Sequence, residues 1–249
     1  MFRVSGSMVL ILGPTIVGFG DPIFPRSNES IRSSCSYVEE MPETNKSVTT
    51  WGYKTNAANA EIITDHNTPE YAPIVERNLD FYEFKFVTID GSAFDLRGYL
   101  KGKSLVIIEY FAGWCPNSNR NGHVLERLWT KYRDRGLGVV GVAEYSDEAE
   151  LRIHINRIGI DYPIVVETKK LGQRKDSSHY RYRHAVGDKR KWGTPFYVII
   201  DTRDIETSGV NGLITRKVYT VSGELEEEST DQFLRKILTD RSSLTQSAL

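Results

Sequence analysis

Residues 111–118 form the most informative run in the chain and read Phe111-Ala112-Gly113-Trp114-Cys115-Pro116-Asn117-Ser118. The preceding residues, 104–111, are apolar, β-branched and aromatic, which is typical of a central strand buried on both faces. After Pro116, apolar residues recur at spacings of three and four, which predicts an amphipathic helix. The sequence therefore places Cys115 at a helix N-terminus. Unpaired N–H groups and the helix dipole at that position lower a thiol pKa from its usual value of about 8.5.

Four more motifs occur around this run in a fixed order. They are an opening hairpin at 81–91, the segment Asp95–Lys103, the pair Tyr162-Pro163, and the cis-proline loop Gly193-Thr194-Pro195 with the apolar strand after it. At these residues the chain resembles the thioredoxin superfamily, and within it the TlpA-like redoxin branch of extracytoplasmic thiol-disulfide oxidoreductases. The resemblance extends from residue 80 to residue 240.

The resemblance implies a thioredoxin-like fold, a three-layer α/β/α sandwich with a central mixed β-sheet. We expect strands near 81–89, 104–111, 138–144, 196–201 and 213–221, and helices near 116–135, 147–158 and 229–239, the last capped by Ser229 or Thr230. The domain then spans 79–240, with a basic insertion at about 167–192 and a tail at 241–249.

The chain departs from the TlpA-like pattern at position 118. That branch has a second cysteine there, whereas this chain has Ser118. A serine hydroxyl can hydrogen-bond a thiolate at Cys115, but it cannot displace a sulfur to release a bound partner. The resemblance therefore implies an oxidoreductase with a single nucleophilic cysteine, which forms a mixed disulfide with a protein or a small thiol. Where the branch has a Met-Pro pair that kinks the helix, this chain has Gly122-His123. The sequence therefore does not predict whether this helix bends.

The resemblance also assigns roles to residues around the cysteine. Glu109 occupies the position of the buried acid of thioredoxins, where burial raises a carboxyl pKa. Proton transfer and a structural role for Glu109 both stay open. A cis bond before Pro195 would turn the backbone of Thr194 toward the cysteine for pairing with an extended substrate, and an ordinary trans proline is the alternative.

A tryptophan and a proline flank the cysteine directly. By the resemblance, Trp114 and Pro116 belong to the surface that docks a partner. Simple packing of the loop is the alternative for Trp114, and the two roles are compatible because an indole has both an apolar body and a polar N–H.

The N-terminal third lacks the regular patterns of the rest. Residues 1–20 hold a cationic start, an apolar run and small residues, which is typical of a signal peptide, with a buried or irregular N-terminal strand as the alternative. A signal peptide implies an extracytoplasmic protein, periplasmic or secreted; without one, a cytoplasmic location is expected. Residues 21–78 are polar and aperiodic, so we interpret them as an arm or linker. No apolar run reaches the length of about 18 residues that a membrane-spanning helix needs.

The second of the chain's two cysteines, Cys35, lies in this arm. A bond to Cys115 would make Cys35 a distant resolving cysteine, although an incidental Cys35 is the favoured interpretation. The five histidines form no recognised zinc spacing with either cysteine, and we expect no metal and no cofactor.

Charge gives little information on the partner class, since the formal net charge is −1. The insertion at 167–192 is locally basic, with His and Tyr between the cations, a mixture that also occurs in nucleic-acid-binding proteins. We interpret it as a solvated insertion and expect no specific nucleic-acid partner. Its position before the cis-proline loop leaves open a place beside Cys115, where it would favour an acidic partner.

Two other functions compete with thiol-disulfide exchange. A binding or chaperone module without turnover is consistent with the serine at position 118. A thiol peroxidase is disfavoured, because that pattern needs Ser or Thr three residues before the cysteine and Pro seven before, where this chain has Ala112 and Ile108. The sequence makes no prediction of the oligomeric state.

Overall fold

The computed structural model describes residues 68–207 and 210–246, with side chains described as far as residue 239. The predicted signal peptide, most of the predicted arm, and Cys35 lie outside the described residues. Within these residues there are eight strands: β1 Val75–Tyr82, β2 Lys85–Thr88, β3 Ala93–Asp95, β4 Leu105–Phe111, β5 Leu137–Ala143, β6 Ile164–Val166, β7 Phe196–Asp201 and β8 Leu213–Val221. The α-helices are α1 Leu96–Leu100, α2 Pro116–Tyr132, α3 Glu148–Ile158, α4 Ser178–Ala185 and α5 Glu227–Gln246.

The strands form one mixed sheet in the order β1-β8-β7-β4-β5-β6-β2-β3. Strand β4 runs parallel to β5, β5 runs parallel to β6, and the other pairs are antiparallel. All residues of β4, β5 and β7 are buried, as expected for central strands covered on both faces.

Two apolar clusters cover the two faces of this sheet. One contains Leu125, Leu151 and Leu234, which come from α2, α3 and α5. The other contains Leu100 of α1 and Tyr182 of α4. Each fully buried side chain of this size contributes about 1.5–3 kcal/mol relative to an exposed one. Helices on both faces of a mixed sheet confirm the predicted α/β fold class.

The predicted strand at 81–89 is wrong as a single element. Its residues divide between β1 and β2, which lie toward opposite ends of the sheet. The chain leaves the sheet between them, because Glu83 N–H donates to the Gly212 carbonyl at 2.7 Å and the Phe84 carbonyl accepts from Leu96 N–H at 3.2 Å. Phe81 and Phe84 pack into the same apolar cluster as the chain crosses. The opening hairpin is instead formed by β2 and β3.

The two ends of the predicted domain also differ from expectation. Helix α5 begins at Glu227 rather than after Ser229 or Thr230, because the Glu226 side chain accepts from the Ser229 N–H at 2.7 Å. The helix continues to Gln246, so residues 241–246 are helical where a tail was expected. At the other end, residues 70–72 bond to Glu224, so the domain begins before residue 79.

Among the strands and α-helices of the described residues, α1, β3, β6 and α4 have no sequence prediction. Among the helices in residues 68–207 and 210–246, none combines the length and apolar composition needed to cross a membrane.

Candidate active site

Cys115 lies at the start of α2, as the sequence predicts. It is the N-cap residue, with extended backbone angles of φ −77° and ψ 122°, and Pro116 occupies the first helical turn. The Cys115 N–H donates to the Ala112 carbonyl at 3.0 Å, which tightens the turn between β4 and the helix. The residue is buried, with only 8% of its surface exposed.

The cis-proline loop lies directly against the sulfur. The bond between Thr194 and Pro195 is cis, as predicted. Cys115 Sγ donates to the Thr194 carbonyl at 3.4 Å, although the two residues are 79 positions apart in the chain. The fold thus brings together a helix N-terminus and an extended backbone segment around one sulfur atom.

Two hydroxyl groups in this region are buried and have unused donors. Ser118 is fully buried and Thr194 is 4% exposed. Neither hydroxyl oxygen has a hydrogen-bond partner among the described residues. Ser118 lies one helical turn after Cys115 and shares its face of α2. An unsatisfied buried O–H favours a nearby charged acceptor, and a thiolate at Cys115 would be one.

Asn119, which the sequence analysis did not identify, fixes the loop around the cysteine. Its Nδ2 donates to the carbonyls of Gly113 and Cys115 at 2.9 and 3.0 Å. Its Oδ1 lies 3.0 Å from Nδ1 of His154 on α3. Burial lowers the pKa of His154 to about 4, with smaller contributions from Arg157 and His123, so the imidazole is neutral at pH 7.

Glu109 is fully buried in β4, and its carboxyl oxygens accept from the hydroxyls of Tyr162 and Tyr197 at 3.2 Å each. Burial raises the pKa of Glu109 to about 7, because the loss of water outweighs the two hydrogen bonds. The Tyr197 hydroxyl oxygen also lies 2.6 Å from Asn121 Oδ1, so its single proton is shared between Glu109 and Asn121, and this acid is linked to α2. Within the described residues, the structure therefore connects Glu109 to the cysteine helix through a tyrosine rather than by a direct bond to the sulfur.

Trp114 packs the loop and also borders the cysteine. Its Nε1–H donates to the Tyr145 carbonyl at 3.0 Å, and its ring meets Trp192 edge-on at 5.8 Å. The side chain is half-buried, as is Pro116. These positions are compatible with both roles that the sequence leaves open for Trp114.

An ion pair beside α2 was also missed by the sequence analysis. Arg120 donates to both carboxyl oxygens of Glu224, at 2.6 and 2.8 Å, and the Glu224 side chain is almost fully buried. The pKa of Arg120 is raised first by this hydrogen bond and further by charges that include Cys115. Arg120 thus places a positive charge within electrostatic reach of the sulfur, which favours a thiolate.

Part of the basic insertion is buried, contrary to the solvated interpretation. His179 and Arg183 of α4 are 0% and 1% exposed. His179 stacks on Tyr110 at a centroid distance of 5.4 Å, and its Nε2 contacts the Gly193 carbonyl at 3.3 Å. Many other cations of the insertion are exposed, as expected; they include Lys169, Lys170, Lys175, Arg181, Lys189 and Lys191. Hydrogen bonds of His179 to Tyr145 and Gly193, and of Arg183 to the Arg190 carbonyl, offset part of the cost of burying these two polar groups.

The described residues contain no candidate metal site. Within 68–207 and 210–246, no three His, Cys, Asp or Glu side chains are grouped so that they could hold a metal ion.

One curated protein is similar in sequence to part of this chain. No protein-family model matches the chain. The thiol-disulfide oxidoreductase ResA of Halalkalibacterium halodurans is 26% identical over 84 residues, which are 34% of this chain and 47% of the relative. The chain thus matches about half the length of that relative.

Solved structures give matches over most of their own length. A thiol:disulfide interchange protein of the thioredoxin family from Chlorobium tepidum is 22% identical, with a TM-score of 0.48. The match covers 65% of this chain and 97% of the Chlorobium tepidum chain. The thioredoxin domain of a thiol-disulfide oxidoreductase from Bacteroides vulgatus is 16% identical, with a TM-score of 0.47 and coverage of 65% and 97%. A secreted disulfide oxidoreductase from Mycobacterium tuberculosis is 16% identical, with a TM-score of 0.43 and coverage of 61% and 95%.

The chain has a thioredoxin-like fold. The sheet order and the two covered faces carry this assignment, and the sequence similarity to a thiol-disulfide oxidoreductase agrees with it.

Proposed function

We propose that this protein carries out thiol-disulfide exchange through Cys115 alone. The observation that carries the proposal is the position of its sulfur, at the N-terminus of α2 and 3.4 Å from the Thr194 carbonyl of the cis-proline loop. The helix terminus favours the thiolate, and the loop offers backbone groups to an extended partner next to the reacting atom.

The proposed reaction has two exchange steps. The Cys115 thiolate attacks one sulfur of a partner disulfide, a new S–S bond forms, and the partner's other sulfur leaves as a thiolate that takes a proton from water. An external thiolate then attacks the partner sulfur of this mixed disulfide. Cys115 is released as a thiolate, and the partner keeps a disulfide to the external thiol. Because Ser118 has no sulfur, its proposed role is to donate a hydrogen bond to the thiolate.

The burial of Cys115 supports one alternative, a binding module without exchange activity. A cysteine residue that is 8% exposed reacts slowly unless a partner opens or matches the site. The experiment must therefore separate exchange from binding.

The test uses the full chain with Cys35→Ser, so that Cys115 is its only thiol. A peptide carrying an activated disulfide with a chromophoric leaving thiol is added. We expect one equivalent of leaving thiol per chain, a mass increase on the peptide containing Cys115, and release by excess glutathione. The further change Cys115→Ser removes the adduct. Failure to form the adduct, or formation no faster than with a short unstructured cysteine peptide, refutes the exchange activity and leaves the binding module.

A further inference from the structure

Arg183 lies directly beneath the cis-proline loop, although it belongs to the insertion. The side chain is 1% exposed. Gly193 has φ +62°, and a Cβ added there would come within 1.3 Å of Arg183 Nη1. The guanidinium therefore fills the space that the side chain of any other residue at position 193 would need.

Residues in the loop that follows α4 hold the guanidinium in this position. Arg183 Nη2 donates to the Arg190 carbonyl at 2.6 Å, and Nε lies 3.8 Å from the buried carboxylate of Asp188. The Asp188 N–H donates back to the Arg183 carbonyl at 2.9 Å. Burial lowers the pKa of Arg183, and the charge of Asp188 opposes this effect.

Two further side chains of the insertion hold the same loop by its carbonyl groups. His179 Nε2 lies 3.3 Å from the Gly193 carbonyl, which can only accept, so Nε2 carries the proton and Nδ1 accepts from the Tyr145 hydroxyl at 2.9 Å. Arg190 Nη2 donates to the carbonyls of Gly193 and Pro195 at 3.2 and 3.3 Å. The insertion thus contacts the loop on both sides of the residue whose carbonyl meets the sulfur.

A buried arginine is a costly way to fill space. Nε and Nη1 of Arg183 have no hydrogen-bond partner among the described residues, and unpaired donors in the interior are destabilising. An apolar side chain of similar volume often replaces a buried ion pair without loss of stability. Packing alone therefore does not account for a guanidinium here. Its Nη2 donor holds the Arg190 carbonyl, and the Arg190 side chain in turn donates to the carbonyls of Gly193 and Pro195 in the cis-proline loop.

We propose that Arg183 is a positioning residue that sets the preference of this site for extended peptide disulfides. Its contact with Gly193 fixes the cis-proline loop, so that the backbone of Thr194 meets an extended chain in register with Cys115. This proposal rests on the proposed exchange activity. A small disulfide needs only access to the sulfur, whereas an extended peptide also needs the loop. An error of about 1 Å in such a position lowers a rate by up to about 100-fold.

The test measures second-order rates of adduct formation on the full chain with Cys35→Ser. Two probes are compared: an extended peptide with a central activated disulfide, and 5,5′-dithiobis(2-nitrobenzoic acid). We expect Arg183→Met to lower the rate with the peptide by about tenfold and to change the rate with the small disulfide by less than about twofold. Arg183→Lys keeps the charge and should recover part of the peptide rate. Arg181→Met, an exposed change on the same helix, should affect neither rate.

The contradicting results differ for the two proposals. If the Cys35→Ser parent reacts with neither probe, exchange and the role of Arg183 both fail. If the parent reacts with both and Arg183→Met lowers the two rates equally or not at all, only the positioning role fails. Should Arg183→Met not fold, Arg183→Lys, which keeps the charge but loses the planar guanidinium, must then show a smaller but still selective loss with the peptide.

Discussion

The two regions that meet at Cys115 are built in different ways. Strand β4 and helix α2 place the sulfur through local backbone structure: a buried strand, a tight turn and a helix N-terminus. The insertion at 167–192 holds the opposing loop through buried polar side chains whose partners are distant in sequence, such as Tyr110 for His179. The half of the site formed by β4 and α2 therefore depends on backbone conformation and tight backbone packing. The half held by the insertion depends on a few buried polar side chains.

The largest expected effect tests whether the insertion is part of the core. Replacing His179 with Ala removes a ring packed against Tyr110, Tyr145 and Phe196, and leaves the Tyr145 hydroxyl with Ser177 Oγ as its remaining partner. We expect a loss of about 3–5 kcal/mol in the free energy of unfolding, as for other buried rings. Urea denaturation measures it.

His184→Ala is the matched control, because His184 is an exposed residue on the same helix. It should change the free energy of unfolding by less than about 0.5 kcal/mol. Equal small effects of the two changes would show that α4 is a solvated addition after all.

The second prediction concerns the acid in β4. The pKa of Glu109 is raised from 4.5 to about 7 in the folded protein, so the folded state binds a proton there that the unfolded state has lost. The stability that depends on this proton is complete below pH 4.5 and is lost as the pH rises through about 7. The difference between the two pKa values corresponds to about 3 kcal/mol.

Glu109→Gln keeps one acceptor oxygen for Tyr162 or Tyr197, places an NH2 donor against the other hydroxyl, and removes the titration. Between pH 5 and pH 8, the unmodified protein should lose up to about 3 kcal/mol more stability than the variant. Parallel pH profiles from urea denaturation of the two proteins would contradict the raised pKa of Glu109.

The third prediction compares close approach in the two regions. A Cβ at Gly113, beside the cysteine, would lie 2.9 Å from the backbone oxygen of Glu150, which cannot move without shifting α3. Gly113→Ala should therefore cost about 1–3 kcal/mol by overpacking. Gly172, in the insertion, has no atom within 4 Å of an added Cβ, so Gly172→Ala should be neutral. Thermal unfolding of both variants checks this, and a neutral Gly113→Ala would show that the turn has room that the structure does not indicate.

The smallest effect is expected outside both regions. Arg216 pairs with Asp80 at 3.2 Å and lies 3.6 Å from Glu206, and all three side chains are largely exposed. Water and salt screen such pairs, so Arg216→Ala should cost less than about 0.5 kcal/mol. A cost above about 1 kcal/mol in urea denaturation would mean that surface charges matter more here than in either half of the site.

Sequence patterns were sufficient where the structure is local. The apolar run of β4, the helix start at Pro116 and the Thr194-Pro195 pair each follow from the types of a few neighbouring residues. The buried acid at Glu109 was instead predicted from the resemblance to thioredoxins, and the structure buries it. These elements carry the fold class and the position of the cysteine.

Patterns failed where long-range contacts decide the outcome. Residues 81–89 look like one strand, yet hydrogen bonds to Gly212 and Leu96 divide them between two parts of the sheet. In the sequence, Arg183 looks like one more surface cation. Its contacts with Asp188 and Gly193 form because the chain reverses direction after α4, and the sequence pattern does not predict that reversal. The ion pair of Arg120 and Glu224 joins residues 104 positions apart, so no local pattern could indicate it.

The central claim is that Cys115 is an activated nucleophile, and opposing effects bear on it. The helix N-terminus and the charge of Arg120 favour the thiolate, whereas burial and the Thr194 carbonyl favour the neutral thiol. The most direct measurement is the rate of alkylation of Cys115 by iodoacetamide as a function of pH, in the full chain with Cys35→Ser. We predict fast alkylation with a midpoint well below the usual thiol value of about 8.5. A midpoint at or above that value, or no reaction while the protein is folded, would contradict the proposed exchange activity.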